Sequence, residues 1–358
     1  MSRTSRPKSP PETFADSGER AFHRWLFRAR PSSDHALGGL GDDCASWVPP
    51  GRGSVLLTVD SLVEGRHFPS EAPPRLVGRY AAEASLSDLA CKGARPVGLL
   101  LSLVLSPPTA VAWGKGVVQG ARASLRRHGA WLVGGDTKAG PGRTVVSLGL
   151  GYAPRRRVPP RSGARPGDIL ATTGTVGRGS AAWITYSHGL RSRWEALERL
   201  LSVRARVREG EALAPLCHAT LDTSDGLLAA ARLLAEASGC SVEIWEASLP
   251  YDPGVRHLAR RTGRPPADLA FFGGDYEILA AIPATNFQRA QAAVRRVGGT
   301  LSPIGRVTSR GPSVLMAGEV RTPLPDVGWD SFRPPQELDI LRKPARPRGR
   351  RKDNNGRP

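Results

Sequence analysis

The sequence contains no apolar run long enough to cross a membrane. Its longest apolar segment, residues 97–105, has the length of a strand, whereas a membrane-spanning helix needs ~20 residues. Residues 1–14 are basic and rich in Pro and Ser, and no apolar segment of signal-peptide type follows them. We therefore expect a cytoplasmic protein without membrane contacts.

Cysteine is scarce, and the common phosphate-binding loop motifs are absent from the sequence. Four cysteines are spread over 358 residues without a C-x-x-C pair, which offers neither a zinc signature nor a disulfide framework. The Walker pattern GxxxxGKS/T does not occur, and the turn GTVGRGS at residues 174–180 does not fit GxGxxG. A nucleotide would have to be held differently, with the backbone amides of residues 134–135 or 174–179 as candidates.

The formal net charge of +19 raises the question of a nucleic-acid partner. Residues 342–358 carry eight basic residues and one Asp, have no apolar periodicity and are expected to be disordered. Only six of the 51 basic residues are Lys, a skew that indicates compositional bias rather than selection for phosphate binding. Because the chain has no nucleic-acid recognition motif, we do not expect nucleic-acid binding as its main function.

Strand-like and helix-like segments alternate along the chain, which predicts an α/β protein of two domains. We place the N-terminal domain at residues 16–153 and the C-terminal domain at residues 167–333. A Pro- and Arg-rich linker, residues 154–166, separates them, and residues 1–15 and 334–358 are a disordered lead and tail. Residues 97–105 are expected to form a strand buried on both faces, and residues 304–307 the last strand.

Acidic residues recur beside Gly, Ser or Thr at the junctions between these elements. Singly, each is more often a cap or turn residue. Loops at strand ends carry catalytic groups on α/β scaffolds, however, and so many carboxylates would share a pocket only with cations to offset their repulsion. Mg²⁺ prefers such oxygen ligands and is commonly shared with substrate phosphates. The set that favours a metal site is Asp42, Asp43, Asp60, Asp88, Asp136, Asp222 and Asp225.

The motifs around these acids resemble those of the thiamine-monophosphate kinases, within the aminoimidazole-ribonucleotide-synthase-like superfamily. The matches run in family order over residues 15–332. The most discriminating are VEG-x-HF, within TVDSLVEGRHF at 58–68, and GWDSF at 328–332. The others are GDDCA at 41–45, LSDLACKGARP at 86–96, GGDT at 134–137, RSGARPGD at 161–168, LDTSDGL at 221–227 and GGDYEI at 273–278.

This resemblance implies a two-domain α/β (α+β) fold and a homodimer whose N-terminal sheets pair into a barrel. It implies transfer of the γ-phosphoryl group of ATP to thiamine monophosphate, which gives thiamine diphosphate and ADP. Several Mg²⁺ ions would be held by Asp42, Thr58, Asp60, Asp88, Asp136, Asp222 and Asp225. ATP would contact Gly135, Asp136, Arg161 and Ser224. The thiamine phosphate would contact His67 and Trp329.

No catalytic base is expected, because the acceptor is a phosphate monoester that is already anionic near neutral pH. Catalysis then consists of in-line positioning and neutralisation of charge on the transferring phosphoryl group. Trp329 is suited to lie over the cationic thiazolium ring.

Several positions depart from the family pattern, among them Val118, which stands where an aromatic would face adenine. Gly274 stands in place of a Glu, so Asp275 or Glu277 must serve or a substrate contact is missing; Ser85 replaces an Asn and Lys92 a Met. None belongs to the acidic set, so these departures bear on acceptor binding. Two alternatives stay open: a related ATP-using enzyme of the superfamily with another acceptor, or a catalytically degenerate basic scaffold that binds RNA.

Overall fold

The computed structural model describes residues 37–38, 43–47, 53–154 and 158–332. The predicted lead and tail, part of the predicted linker and the predicted ligand Asp42 lie outside these residues. No helix in the described ranges is both long and apolar enough to cross a membrane.

The first half of the chain folds into a six-stranded sheet with two helices. The strands are β1 (Leu37–Gly38), β2 (Ala45–Trp47), β3 (Ser54–Val63), β4 (Arg95–Leu105), β5 (Trp131–Ala139) and β6 (Thr144–Ala153), and the helices are α1 (Pro74–Cys91) and α2 (Val111–Arg127). The strand order is β1-β2-β3-β6-β4-β5, with β5 parallel to β4 and the other neighbours antiparallel. The two helices pack closely, since a Cβ on Gly78 would lie 1.9 Å from the Val117 carbonyl oxygen.

The helices cover one face of this sheet and leave the other open. Side chains alternate along each strand, so Leu56 and Leu99 are fully buried while Val97 and Leu100 on β4 are 46% and 41% exposed. The prediction that residues 97–105 are buried on both faces is therefore wrong for the single chain. A continuous apolar run suggested two covered faces, but among the described residues helices pack on only one face.

The second half of the chain folds into a seven-stranded, mostly antiparallel sheet in the order β13-β12-β9-β11-β7-β10-β8, in which only β9 and β12 pair in parallel. Its strands are β7 (Ile169–Thr173), β8 (Ala219–Asp222), β9 (Ser241–Trp245), β10 (Ile278–Ile282), β11 (Leu301–Thr308), β12 (Val314–Ala317) and β13 (Val320–Pro323). Its helices are α3 (Arg178–Ser187), α4 (Arg193–Leu201), α5 (Val207–Leu213), α6 (Leu227–Ser238), α7 (Pro253–Thr262) and α8 (Phe287–Arg296).

The hairpin of β12 and β13 corrects the prediction that residues 304–307 form the last strand. This hairpin turns at Gly318, and all four residues of β13 are exposed at the sheet edge. An edge strand that buries nothing shows no apolar alternation, so the sequence gives no signal for it.

The end of α1 joins the two halves at β8. Ser87 Oγ donates to Asp222 Oδ2 over 2.8 Å, and Thr220 Oγ1 donates to the Cys91 carbonyl oxygen over 2.6 Å. The passage from one sheet to the other falls between Ala153 and Ile169. The joint brings acidic residues of both halves together.

Candidate active site

A cleft of about 1900 Å³ lies where the two halves meet. It is lined by β3 and the loop after it, Tyr80 and Asp88 of α1, α3, the turn after β8, the glycine-rich turn at residues 272–274 and the segment 328–332. Nine of the predicted site residues line it, namely Thr58, Asp60, His67, Asp88, Arg161, Asp222, Ser224, Asp225 and Trp329.

Three carboxylates form the densest group of candidate metal ligands among the described residues. Asp43, Asp88 and Asp222 each offer an oxygen within 4.8 Å of the others. Asp88 comes from the last turn of α1 and Asp222 from the end of β8. Because α1 and β8 belong to different halves of the chain, the group exists only in the folded molecule.

Hydroxyl groups orient two of these carboxylates. Thr58 Oγ1 donates to Asp88 Oδ2 over 2.5 Å. Ser87 Oγ donates to one oxygen of Asp222 and Ser224 Oγ to the other, each over 2.8 Å. These bonds fix the direction of the remaining oxygen lone pairs, as supporting hydrogen bonds do around metal ligands.

The carboxylates repel one another in the absence of a cation. Burial and the charges of Asp222 and Asp43 raise the pKa of Asp60 to about 7. Burial and the Asp43 charge raise the pKa of Asp222 to about 6, and burial with its three acidic neighbours raises that of Asp88 well above its ordinary value. A divalent cation would offset this repulsion and let the carboxylates ionise. Mg²⁺, which prefers oxygen ligands, suits such a site.

Asp43 has a different environment, which the sequence did not reveal. Lys92 Nζ lies 2.7 Å from its Oδ2, and Arg161 Nη2 donates to its Oδ1 over 2.7 Å. Burial opposes ionisation, but the two cations hold the pKa of Asp43 below its ordinary value. Asp43 belongs to the acidic set that favours a metal site, but the family resemblance implied Asp42 and not Asp43 as a ligand. Arg161 was predicted to contact ATP.

Trp329 lies in the segment 328–332, which Arg66 holds against the loop after β3. Arg66 Nη2 donates to the carbonyl oxygens of Asp330 and Ser331 over 3.1 and 2.5 Å, and its guanidinium carbon is 5.4 Å from the Trp329 ring centroid. The His67 ring lies 5.8 Å from the same indole. The two predicted substrate residues are therefore neighbours, and one face of Trp329 already holds a cation.

Gly135 and Asp136 were predicted to contact ATP, and Asp136 also to bind Mg²⁺. Neither residue lines the cleft. They lie on the edge strand β5, where Asp136 is exposed and pairs with Lys138 at 3.0 Å. Asp225 lines the cleft, and its carbonyl oxygen accepts a hydrogen bond from Trp329 N over 3.0 Å.

The structure shows where Gly274 and the two acids that follow it lie. Gly274 lines the cleft, whereas Asp275 accepts hydrogen bonds from Gly177 N and Gly179 N over 2.7 and 2.9 Å. Glu277 pairs with Arg206 and accepts from Thr173 Oγ1. Neither acid lines the cleft, so neither stands in for the Glu that Gly274 replaces.

Two further positions have contacts that the sequence did not predict. Ser85 is buried under the sheet, where its Oγ contacts the Ser147 carbonyl and hydroxyl oxygens. Tyr276 Oη donates to Tyr80 Oη over 3.0 Å at the cleft wall. Tyr276 has a φ of 56°, the only positive value for a non-glycine residue in the described part of the chain. In the sequence, only its position within the motif GGDYEI pointed to Tyr276 as a residue of the site.

The AIR synthase related proteins share both halves of this fold. The model of their N-terminal domain matches residues 41–153, and that of their C-terminal domain matches residues 165–317. The chain therefore belongs to this family.

Within it, the chain belongs to the thiamine-monophosphate kinases. The enzyme of that name from Halobacterium salinarum is 35% identical over 297 residues, which cover 82% of this chain and 96% of that protein. The enzyme from Salmonella typhimurium is 32% identical over 293 residues, which cover 80% and 89%.

Solved structures agree in fold. AaThiL complexed with AMPPCP and TMP matches with a TM-score of 0.75 and 25% identity, over 92% of this chain and 99% of that one. The thiamine-monophosphate kinase of Stenotrophomonas maltophilia matches with a TM-score of 0.68 and 29% identity, over 81% and 94%. The predicted family and the two-domain α/β fold are thus confirmed.

Proposed function

We propose that this chain transfers the γ-phosphoryl group of ATP to thiamine monophosphate in a single in-line step assisted by Mg²⁺. The observation that carries the proposal is the meeting of Asp88 and Asp222, from the two halves of the chain, in a cleft that also contains Trp329 and His67. Acids for metal-bound phosphates and an aromatic wall for a cationic ring are what the two substrates require.

The metal part of the proposal rests on the donor set. Asp60, Asp88 and Asp222 supply carboxylate oxygens, and Thr58 a hydroxyl that already contacts Asp88. Asp225 lines the same cleft, while Asp42 and Asp136 stay predicted ligands. Bound Mg²⁺ would neutralise the negative charge that gathers on the transferring phosphoryl group. The protein's own contribution is to hold the oxygens in place through the hydroxyls of Ser87 and Ser224.

The nucleotide part assigns Ser224 and Arg161 to the phosphates of ATP, and Gly135 and Asp136 stay predicted contacts. Arg161 carries a permanent charge that reaches the cleft and pairs with Asp43. A guanidinium so placed can shift one N–H donor toward a phosphate oxygen without leaving its carboxylate. AaThiL was solved with AMPPCP, which supports a nucleotide in this fold.

The acceptor part assigns Trp329 and His67 to thiamine monophosphate. The Arg66 guanidinium lies over one face of Trp329, which supports an indole that accepts a cation on its face, and the thiazolium ring is a cation. No side chain has to remove a proton, since the attacking phosphate oxygen is anionic. The cleft supplies positioning and charge neutralisation only.

The proposal includes a homodimer and a cytoplasmic location. The open face of the first sheet exposes Leu57, Val59, Trp131 and Val133, and Trp131 is 70% exposed. An apolar sheet face of this kind is normally covered by another surface. A second copy of the same sheet would cover it and close the barrel.

The experiment that tests the function compares acceptors. ADP release from ATP and Mg²⁺ is measured with thiamine monophosphate, with thiamine and without an acceptor. We expect turnover that requires thiamine monophosphate. Nucleotide binding without acceptor-dependent turnover would instead support a related enzyme with another acceptor, and direct attention to Gly274.

A further inference from the structure

Two tyrosines from different halves of the chain meet at the wall of the cleft. Tyr80 lies on α1, Tyr276 follows the glycine-rich turn at residues 272–274, and both line the cleft. Tyr276 Oη donates to Tyr80 Oη over 3.0 Å, and the two rings pack edge to face with their centroids 5.9 Å apart. The pair therefore forms only when the two halves come together.

The backbone holds Tyr276 at this wall in an unfavourable conformation. The acids on either side of it have partners elsewhere in the second half: Asp275 accepts from two backbone N–H groups of the turn before α3, and Glu277 pairs with Arg206. Tyr276 itself has a φ of 56°, in a region that glycine adopts far more readily than tyrosine. Residues held in such conformations concentrate at functional sites. The turn thus indicates a requirement for this side chain in the cleft.

The contact between the two hydroxyls leaves one donor unused. Tyr276 gives its proton to Tyr80 Oη, so the Tyr80 O–H needs a different acceptor. The part of the chain that the structure describes supplies none within hydrogen-bond distance. Burial and the charge of Asp60 raise the pKa of both hydroxyls, so both keep their protons at neutral pH. Because Tyr80 lines the cleft, a bound ligand can supply the missing acceptor.

The acids near the pair indicate what that ligand is. Asp60 lies close enough for its charge to act on both hydroxyls, and Asp225 and Asp222 act on Tyr80 and Tyr276 respectively. A phosphate held at these carboxylates by a divalent ion would bring its oxygens beside Tyr80. A neutral O–H donor can bond such an oxygen without repelling the divalent ion that binds the same phosphate.

We infer that Tyr80 donates its hydrogen bond to an oxygen of the transferring phosphoryl group and that Tyr276 is the positioning residue that orients it. The inference deepens the proposed function and rests on it. Tyr80 keeps its proton throughout, so it acts as a donor and not as an acid. Its hydrogen bond strengthens as negative charge gathers on the phosphoryl oxygens, so it stabilises the transition state more than the bound substrates.

The experiment removes each hydroxyl in turn. Tyr80→Phe should lower kcat by about 10- to 100-fold and change KM for either substrate less than about threefold. Tyr276→Phe should lower kcat by about 3- to 10-fold, because Tyr80 keeps its O–H but loses its orienting partner. The double variant should stay within about twofold of Tyr80→Phe, since Tyr276 acts through Tyr80. Tyr251→Phe is the control: it removes a buried hydroxyl outside the cleft lining and should match the wild type.

A binding measurement separates this role from a structural one. Calorimetry with Mg²⁺ compares AMPPCP with ADP plus aluminium fluoride, which resembles the phosphoryl group in transfer. Tyr80→Phe should bind the aluminium fluoride complex at least tenfold more weakly and AMPPCP as the wild type does. An equal loss for both complexes, or a normal kcat in Tyr80→Phe, would overturn the inference. A double variant far slower than Tyr80→Phe would overturn the role of Tyr276. If the wild type does not phosphorylate thiamine monophosphate, the proposed function fails, and the aluminium fluoride comparison still decides the role of Tyr80.

Discussion

At the scale of single residues, the cleft holds carboxylates in two kinds of environment. Asp88 and Asp222 are surrounded by hydroxyl donors and other acids, whereas Asp43 lies between two cations. A hydroxyl donor orients a carboxylate oxygen but does not neutralise its charge. The negative charges of Asp88 and Asp222 therefore still favour a bound cation. All three nevertheless offer an oxygen within 4.8 Å of the others, so all three are candidate ligands of one ion.

Replacing Asp222 by Asn tests the proposed ligands. Asn keeps the size of the side chain and an oxygen that accepts from a serine hydroxyl, but it loses the charge. We expect kcat/KM to fall by about 100-fold or more, since metal-assisted charge neutralisation is worth several kcal/mol. The metal-free protein should unfold at the same or a higher temperature, because a repelling carboxylate is removed.

The matched control is Asp268→Asn, which removes an exposed carboxylate outside the cleft lining. The predicted ligand Asp136 is tested in parallel by the same substitution. Near-normal rates in both Asp136→Asn and Asp222→Asn would contradict the metal assignment.

Replacing Trp329 by Ala tests the acceptor site. A cation–π contact contributes about 0.5–2 kcal/mol, so KM for thiamine monophosphate should rise roughly 3- to 30-fold while KM for ATP changes little. Steady-state kinetics with each substrate varied in turn measures both. Trp194→Ala is the control, since Trp194 is exposed on α4 and outside the cleft lining. A rise limited to KM for ATP would contradict the assignment.

The sequence predicted the acids of the cleft better than it predicted their partners. Asp88 and Asp222 were found because each sits beside Ser or Thr at the end of an element. The pairing of Asp43 with Lys92 joins positions 49 residues apart, and periodicity carries no signal for it. Asp42 and Asp43 are adjacent in the chain, and the sequence alone could not show that Asp43 reaches the cluster.

At the scale of elements, the turn before α3 depends on one buried acid. Asp275 accepts from Gly177 N and Gly179 N, at the start of a helix whose N-cap Gly177 has a φ of 89°. Burial raises the pKa of Asp275 to about 7, against the lowering effect of the two N–H donors. From the sequence, Asp275 or Glu277 had to replace the missing Glu, or a substrate contact was missing. The sequence could not show that the Asp275 side chain turns back onto this loop.

The raised pKa predicts how stability depends on pH. The folded protein keeps a proton on Asp275 up to pH of about 7, while the unfolded chain releases it near the ordinary value of 3.8. The stabilisation is therefore full below pH 3.8 and is lost as pH rises through 7. Asp275→Asn should flatten this part of the curve of unfolding free energy against pH, as measured by urea titrations from pH 4 to 8. An unchanged slope would contradict the account, whatever the absolute stability.

At the scale of the whole molecule, the first sheet is incomplete as a single chain. Val59 and Val133 are each 61% exposed on its strands, although a β-branched residue in a strand is normally half buried. The sequence predicted the strands but read the apolar run of β4 as a fully buried one. The positions of α1 and α2 show which face of the sheet the described residues leave uncovered.

Charging this face tests the proposed homodimer. Val133→Glu places a carboxylate in the middle of the apolar surface, and we expect a monomer in light scattering where the wild type is a dimer. Val111→Glu is the matched control, because Val111 is 75% exposed at the start of α2, away from the sheet face. A wild type that is monomeric at micromolar concentration, or a Val133→Glu variant that stays dimeric, would contradict this interface.

The most direct test of the account follows the transferred group itself. The purified protein is given ATP labelled in its γ-phosphoryl group, Mg²⁺ and thiamine monophosphate, and the products are separated. The account predicts label in thiamine diphosphate in equal amount to the ADP formed, and none after a chelator removes the divalent ion. Label released as inorganic phosphate, with no labelled thiamine diphosphate, would contradict it.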